Sequence, residues 1–221
     1  HMYAANELDW QFDDGMPVRL RVSTRYPWGG KVEIEVEPER EREFSLFLRI
    51  PGWCQHATIS INGQAVSVTP HRGYAELRRR WSPSDSVVLE LPMRPEALVA
   101  DPRVVEARDS VALKRGPLVY CLESVDNPGL ALRDVELQVG ASGDFLREVP
   151  HSGFAEDAVA IAGEGSVPTD QWSDLYRNMD APRRRQKQVP LTAIPFFAWG
   201  NRGESEMTIW IRKQGEPAKS G

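Results

Sequence analysis

Ile59-Ser60-Ile61-Asn62-Gly63-Gln64-Ala65-Val66-Ser67-Val68 is the stretch on which the fold turns. Ile59 and Ile61 lead into Asn62-Gly63, and Val66 and Val68 follow it. An Asn-Gly pair between two alternating runs is a strong hairpin signal, because a type I′ turn needs positive φ at both central positions. The same period of two continues outward. Upstream, Val18, Leu20 and Val22 alternate with Arg19 and Arg21, and Val32, Ile34 and Val36 with Glu33 and Glu35. Phe44, Leu46, Leu48 and Ile50 share one face, and Val87, Leu89 and Leu91 repeat the pattern downstream. Each run can bury one face and wet the other, the habit of an antiparallel sheet. No apolar stripe at 3.6-residue spacing lasts three turns before Val125, so no long helix is expected there.

The chain changes character after Met93. Arg94-Pro95 and Asp101-Pro102 punctuate a stretch suited to a crossing between domains. Further strand-like runs cover residues 111–113, 118–122, 135–139, 159–161, 194–197 and 207–211. The sequence therefore predicts an all-β protein of two antiparallel, jelly-roll-like β-sandwiches in tandem, over residues 3–97 and 98–212. Residues 163–188 are polar and read as a long loop with one helical turn around 172–176. His1-Met2 reads as a cloning remnant, and 213–221 as a disordered polar tail.

The 221 residues carry a net charge of -5. An acidic chain offers no general basic field to phosphate, so a nucleic-acid partner is not expected. Nothing approaches the roughly 18 apolar residues of a membrane-spanning helix, so no membrane partner is expected either. Two cysteines, Cys54 and Cys121, are too few for a disulfide scaffold and read as buried thiols, though a single bridge between them stays open. Cys54-Gln55-His56 supplies two metal-ligating side chains without the second pair that a structural zinc site needs. There is no Gly-x-Ser-x-Gly elbow, and Trp28-Gly29-Gly30-Lys31 leads into a strand, not into a phosphate-binding helix. Glu33 and Glu35 fall on the wet face of a strand. Glycoside hydrolysis needs only two carboxyls, but these read as surface charge. The triplets Arg78-Arg79-Arg80 and Arg183-Arg184-Arg185 read as surface or as docking charge for an acidic partner.

The aromatic residues carry the functional candidates. Tyr26 and Trp28 flank Pro27 ahead of a Gly-Gly turn, Trp53 follows Pro51-Gly52, and Trp199 precedes Gly200-Asn201-Arg202-Gly203. Aromatic planes can stack on sugar rings, pack in a core, or form a seam with another domain. Tyr26, Trp28, Trp53, Trp199, Asn201 and Arg202 are thus the candidate carbohydrate-binding or docking residues.

Several phrases are longer than chance allows. They include Leu48-Arg49-Ile50-Pro51-Gly52-Trp53-Cys54, Arg115-Gly116-Pro117-Leu118-Val119-Tyr120-Cys121-Leu122-Glu123, and Ile194-Pro195-Phe196-Phe197-Ala198-Trp199-Gly200-Asn201-Arg202-Gly203. In this order they resemble the C-terminal part of glycoside hydrolase family 127, the β-L-arabinofuranosidase-like group. The resemblance implies a parent enzyme with an N-terminal (α/α)6 barrel that holds a catalytic zinc and a nucleophilic cysteine, followed by β-sandwiches. Only the sandwiches match. The family's glutamate-x-cysteine and adjacent-cysteine motifs have no counterpart here, so no catalytic residue, zinc ligand or other cofactor is carried over. The implied partner is the catalytic barrel of the same full-length protein, against which this portion would pack. The alternative is an independent module that binds arabinose-containing glycans, and a complete small enzyme is the least favoured reading.

Overall fold

In a computed structural model, which describes residues 3–139, 145–170, 176, 178 and 184–214, the chain forms two compact units, His1–Arg94 and Pro95–Gly221. The protein is all-β. Among the described residues its only helical pieces are the 3-10 turns Val105–Ala107, Leu132–Asp134 and Phe196–Ala198. Among the described residues no helix is long and apolar enough to cross a membrane.

The first unit holds β1 (Asn6–Gln11), β2 (Pro17–Thr24), β3 (Lys31–Pro38), β4 (Arg42–Arg49), β5 (Thr58–Ile61), β6 (Gln64–Val66), β7 (Tyr74–Trp81) and β8 (Asp85–Glu90). A six-stranded sheet in the order β1-β2-β3-β8-β5-β6 faces the β4-β7 pair. The hairpin at Asn62-Gly63 joins β5 to β6, with φ of 50° and 77° at its two turn residues. Asn62 also works as a bracket: its side chain donates to Asp85 Oδ1 (2.7 Å) and accepts from the Ser86 N–H (2.8 Å). The alternating side chains meet between the layers, where Val32, Ile34, Val36, Ile59, Ile61, Val87 and Leu89 pack on Leu48, Ala75 and Leu77. Trp81 is fully buried there and donates from its indole to the Phe44 carbonyl (3.0 Å). The two-stranded layer is narrower than the six-stranded one, and Leu8 and Trp10 of edge strand β1 stay exposed.

The second unit holds β9 (Pro95–Leu98), β10 (Ser110–Arg115), β11 (Leu118–Glu123), β12 (Glu136–Leu137), β13 (Arg147–Pro150), β14 (Val159–Pro168), β15 (Gln186–Pro195), β16 (Met207–Thr208) and β17 (Ile211–Lys213). β10, β11, β15, β14, β12 and β17 pair in that order, and β17 pairs back to β10, so the sheet closes on itself. The layers expected here are opposite walls of one barrel-like sheet. Among the described strands one pair, β12 with β17, is parallel. Leu113, Tyr120, Leu122, Leu137, Ile161, Leu191, Ala193 and Ile211 fill the inside.

The stretch read as a loop over 163–188 is corrected at both ends. β14 runs on to Pro168 and β15 begins at Gln186, paired from Ile161↔Ala193 to Pro168↔Gln186. The run over 194–197 is also corrected: β15 stops at Pro195, and Phe196–Ala198 turns out of the sheet. Lys213 closes β17, and the Gln214 N–H donates to Leu137 O (2.9 Å), so the first two residues of the expected tail are ordered against the barrel. The helical turn around 172–176, apart from Tyr176, and the rest of that tail lie outside the described residues.

Candidate functional site

The alternation of β11 places Tyr120 and Leu122 inside the barrel and Cys121 and Glu123 outside it. On that outer face Cys121, Ala160, Ile194 and Ala198 make a second small core, flanked by Val149, Phe154, Met207 and Ile209. The chain covers it by leaving β15 at Pro195, turning through Phe196–Ala198 and continuing with positive φ at Gly200 and Gly203. This loop brings Arg202 over two carboxylates.

Arg202 is the hub. Its guanidinium donates to Asp126 Oδ1 at 2.8 Å, and Nη2 bridges Asp126 Oδ2 and Glu123 Oε2. Glu123 is fully buried and accepts also from Ser205 Oγ (2.5 Å) and the Gly200 N–H (3.1 Å). Asp126 reaches His151 Nε2 (2.9 Å). The Gly153 N–H donates to His151 Nδ1 (3.1 Å), which leaves Nε2 as the donor to Asp126. Phe154 stacks on the His151 ring at 4.9 Å and meets Phe197 edge-on at 6.4 Å. Asn127, itself buried, ties the end of β11 to β15 through the Glu123 and Thr192 carbonyls and the Thr192 N–H.

The electrostatics follow from this wiring. Burial alone would push the Glu123 carboxyl up, but Ser205, Arg202 and the Gly200 N–H overcome it and hold the group below its usual range. Asp126 is lowered in the same way, with Arg202 and His151 outweighing burial. The Arg202 guanidinium is raised by Asp126 and then by Glu123, against its own burial. Cys121 beneath them is pushed up to about 12, first by burial and then by the two carboxylates. Both acids are therefore held ionised. Neither has the raised pKa of a general acid in glycoside hydrolysis, and Cys121 lacks the lowered pKa of a thiolate nucleophile.

The loop displays what the network holds. Phe196, Phe197 and Trp199 are 40%, 58% and 41% exposed, and the Phe196 and Trp199 rings lie within 14° of parallel at 6.2 Å. Of the residues singled out from sequence, Trp199, Asn201 and Arg202 share this loop: Trp199 and Asn201 at the surface, Arg202 in the network. Tyr26, Trp28 and Trp53 belong to the first unit and are half-buried. Tyr26 and Trp53 pack against the first core, and Tyr3 meets Tyr26 edge-on at 6.2 Å. Sequence reasoning missed Glu123, Asp126, His151 and Ser205. The available signal was Glu123 itself, a carboxylate ending the apolar run 118–122.

Cys54 and Cys121 are both buried free thiols, which settles the open bridge. His56 is exposed beside Cys54, and no group of three or more His, Cys, Asp and Glu side chains that could hold a metal ion occurs among the described residues. The residues present do not fit a zinc site.

Fold and site together define a tandem all-β protein with a buried ion network beneath an aromatic loop. Comparison with known proteins supplies the lineage. Residues 1–93 match the family described as "Beta-L-arabinofuranosidase, GH127 middle domain", and residues 95–212 match "Glycoside hydrolase family 127 C-terminal domain". The chain belongs to glycoside hydrolase family 127. It is 31% identical to a non-reducing end β-L-arabinofuranosidase of Bifidobacterium longum subsp. longum, over 96% of this chain and 32% of that protein. A crystal structure of a GH127 β-L-arabinofuranosidase from Geobacillus stearothermophilus T6 superposes with a TM-score of 0.87 at 40% identity, covering 97% of this chain and 33% of that one. A second solved structure, of a GH127 β-arabinofuranosidase, gives a TM-score of 0.81 at 25% identity, over 96% and 34%. The chain thus spans about a third of the length of these relatives.

Proposed function

We propose that this chain is the non-catalytic β-rich portion of a longer glycoside hydrolase that acts on β-L-arabinofuranosides, and that it docks on and supports the catalytic domain. One observation carries the reading: a buried ion network fixes a loop whose three large aromatic side chains remain open to solvent. Aromatic residues on a rigid support are the usual anchors of an interface. Burying Glu123 and Asp126 costs solvation that a free-standing loop has no need to bear. The length of the relatives supplies a partner, because two thirds of each lies outside the stretch matched here. The ionised state of both carboxylates favours a supporting role over a catalytic one.

The test places Phe197→Asp and Trp199→Asp in the full-length protein and in this chain alone. The account expects a lower unfolding temperature for the catalytic domain in the full-length variant, with the isolated chain unchanged. It also expects no turnover of an aryl β-L-arabinofuranoside by the purified chain. Turnover by the chain, or a full-length variant as stable as its parent, refutes the reading.

A further inference from the structure

The wall of the second unit has a seam. One edge of β14 pairs with β15 from Ile161 to Pro168. The other edge changes partner: it pairs with β13 as far as Arg147↔Ala162 and with β12 from Leu137↔Gly165. Between these ladders, Gly163 and Glu164 are bridged by one described bond, from the Gln138 N–H to Glu164 O (3.0 Å). A cleft of about 290 Å³ opens there, lined among the described residues by Gln138, Phe145, Arg147, Gly163 and Glu164.

Strand alternation fixes which side it faces. Ile161 is buried in the barrel, and a side chain on Gly163 would meet Leu146 and Leu137 of the same core. Ala162 and Glu164 therefore point outward, and Arg147, opposite Ala162, points with them. Gln138, Arg147 and Glu164 are all exposed. Phe145, also in the lining, is half-buried and packs in part against the barrel core.

The chemistry of the lining selects its ligand. Arg147 can only donate, the Glu164 carboxylate accepts, and the Gln138 amide does both. Arg147 and Glu164 together give these described side chains no net charge, so they favour neither an anion nor a cation. A ring bearing several hydroxyls, each donor and acceptor at once, satisfies all three, while its C–H face lies on Phe145. The volume sits at the lower end for small-molecule sites, which suits one sugar ring. We infer that this seam is a binding site for a neutral monosaccharide unit, separate from the aromatic loop and independent of the docking role proposed for it.

The test is a titration of the isotope-labelled chain with L-arabinose, D-galactose, an arabinan oligosaccharide and sodium sulfate, followed by backbone amide shifts. The inference expects saturable shifts at Gln138, Gly163 and Glu164 with the neutral sugars and none with sulfate. Tighter binding of the oligosaccharide assigns the site to glycan chains, and equal binding assigns it to free sugar. Arg147→Ala and Glu164→Ala should each weaken binding about tenfold, the loss of one charge-assisted contact, with the unfolding temperature unchanged. Absence of a saturable shift with every sugar, sugar binding that survives both substitutions, or shifts produced by sulfate would overturn it.

Discussion

Replacing Arg202 with methionine removes the one cation from a site that holds two carboxylates. Glu123 is fully buried, and the Asp126 side chain is 9% exposed, so neither can turn to water without moving the loop. Removing one partner of a buried ion pair costs about 3–5 kcal/mol. Glu123 keeps Ser205 and the Gly200 N–H, and Asp126 keeps His151, which places the cost near the lower end, about 3 kcal/mol. For a unit of this size that lowers the unfolding temperature by about 10 °C. The pH dependence is the sharper signature. In the parent both folded-state pKa values are depressed, so their contribution is present above the unfolded values near 4 and is lost as pH falls through the folded ones. Without Arg202, burial is opposed by fewer partners and the carboxyl pKa values rise. The variant's contribution then changes sign and is regained on acidification. The deficit measured by urea unfolding should therefore shrink between about pH 7 and about pH 4.5, a window set by the ordinary carboxyl values. A deficit under about 1 kcal/mol at neutral pH, or one that does not vary with pH, contradicts the assignment of Arg202 as the hub.

Other consequences are simpler to measure. Gly30→Ala sets a Cβ 1.9 Å from the Leu91 carbonyl oxygen, at a backbone that also accepts the Leu91 N–H, and should cost about 3 kcal/mol in chemical denaturation; a neutral effect would mean the strand ends move freely. Trp81→Ala empties the centre of the first core and frees the Phe44 carbonyl, so a loss of about 3–5 kcal/mol is expected, against a smaller loss for Trp81→Phe. Burial raises the Cys54 thiol and takes Cys121 to about 12, so neither should react with a thiol reagent at neutral pH until the chain unfolds; rapid labelling of the native chain would refute that. Tyr120, buried in the barrel and donating to the Val159 carbonyl, and Tyr3 should ionise near 12 in a spectrophotometric titration; ionisation of both near the ordinary tyrosine value of about 10 would refute that.

Strands with one wet and one dry face are written in sequence as alternation, and β3, β4, β5 and β8 follow it. β1 carries no such record, because all six of its residues are exposed. β7 carries Arg78-Arg79-Arg80 before its last residue, Trp81, and hides its pairing with β4 under three charges. The β14-β15 hairpin was illegible for a different reason. Gly163-Glu164-Gly165 has low strand propensity by itself, yet Gly165 is required, since a Cβ there would lie 2.6 Å from Leu191 and 2.7 Å from the Glu136 carbonyl. That requirement arises only when the barrel closes. The site follows the same logic. Arg202 stood out because it ends an aromatic phrase, but its partners lie 76 and 79 residues away, at distances no local spacing rule encodes.

Hydrogen exchange on the isolated chain and on the full-length protein tests the supporting role most directly. The account predicts that backbone amides over residues 196–203 gain protection in the full-length protein, while amides of the barrel interior such as Leu122 and Ile161 exchange equally slowly in both. Identical exchange of the aromatic loop in the two samples would contradict it, since the loop would then have no partner in the protein to which this chain belongs.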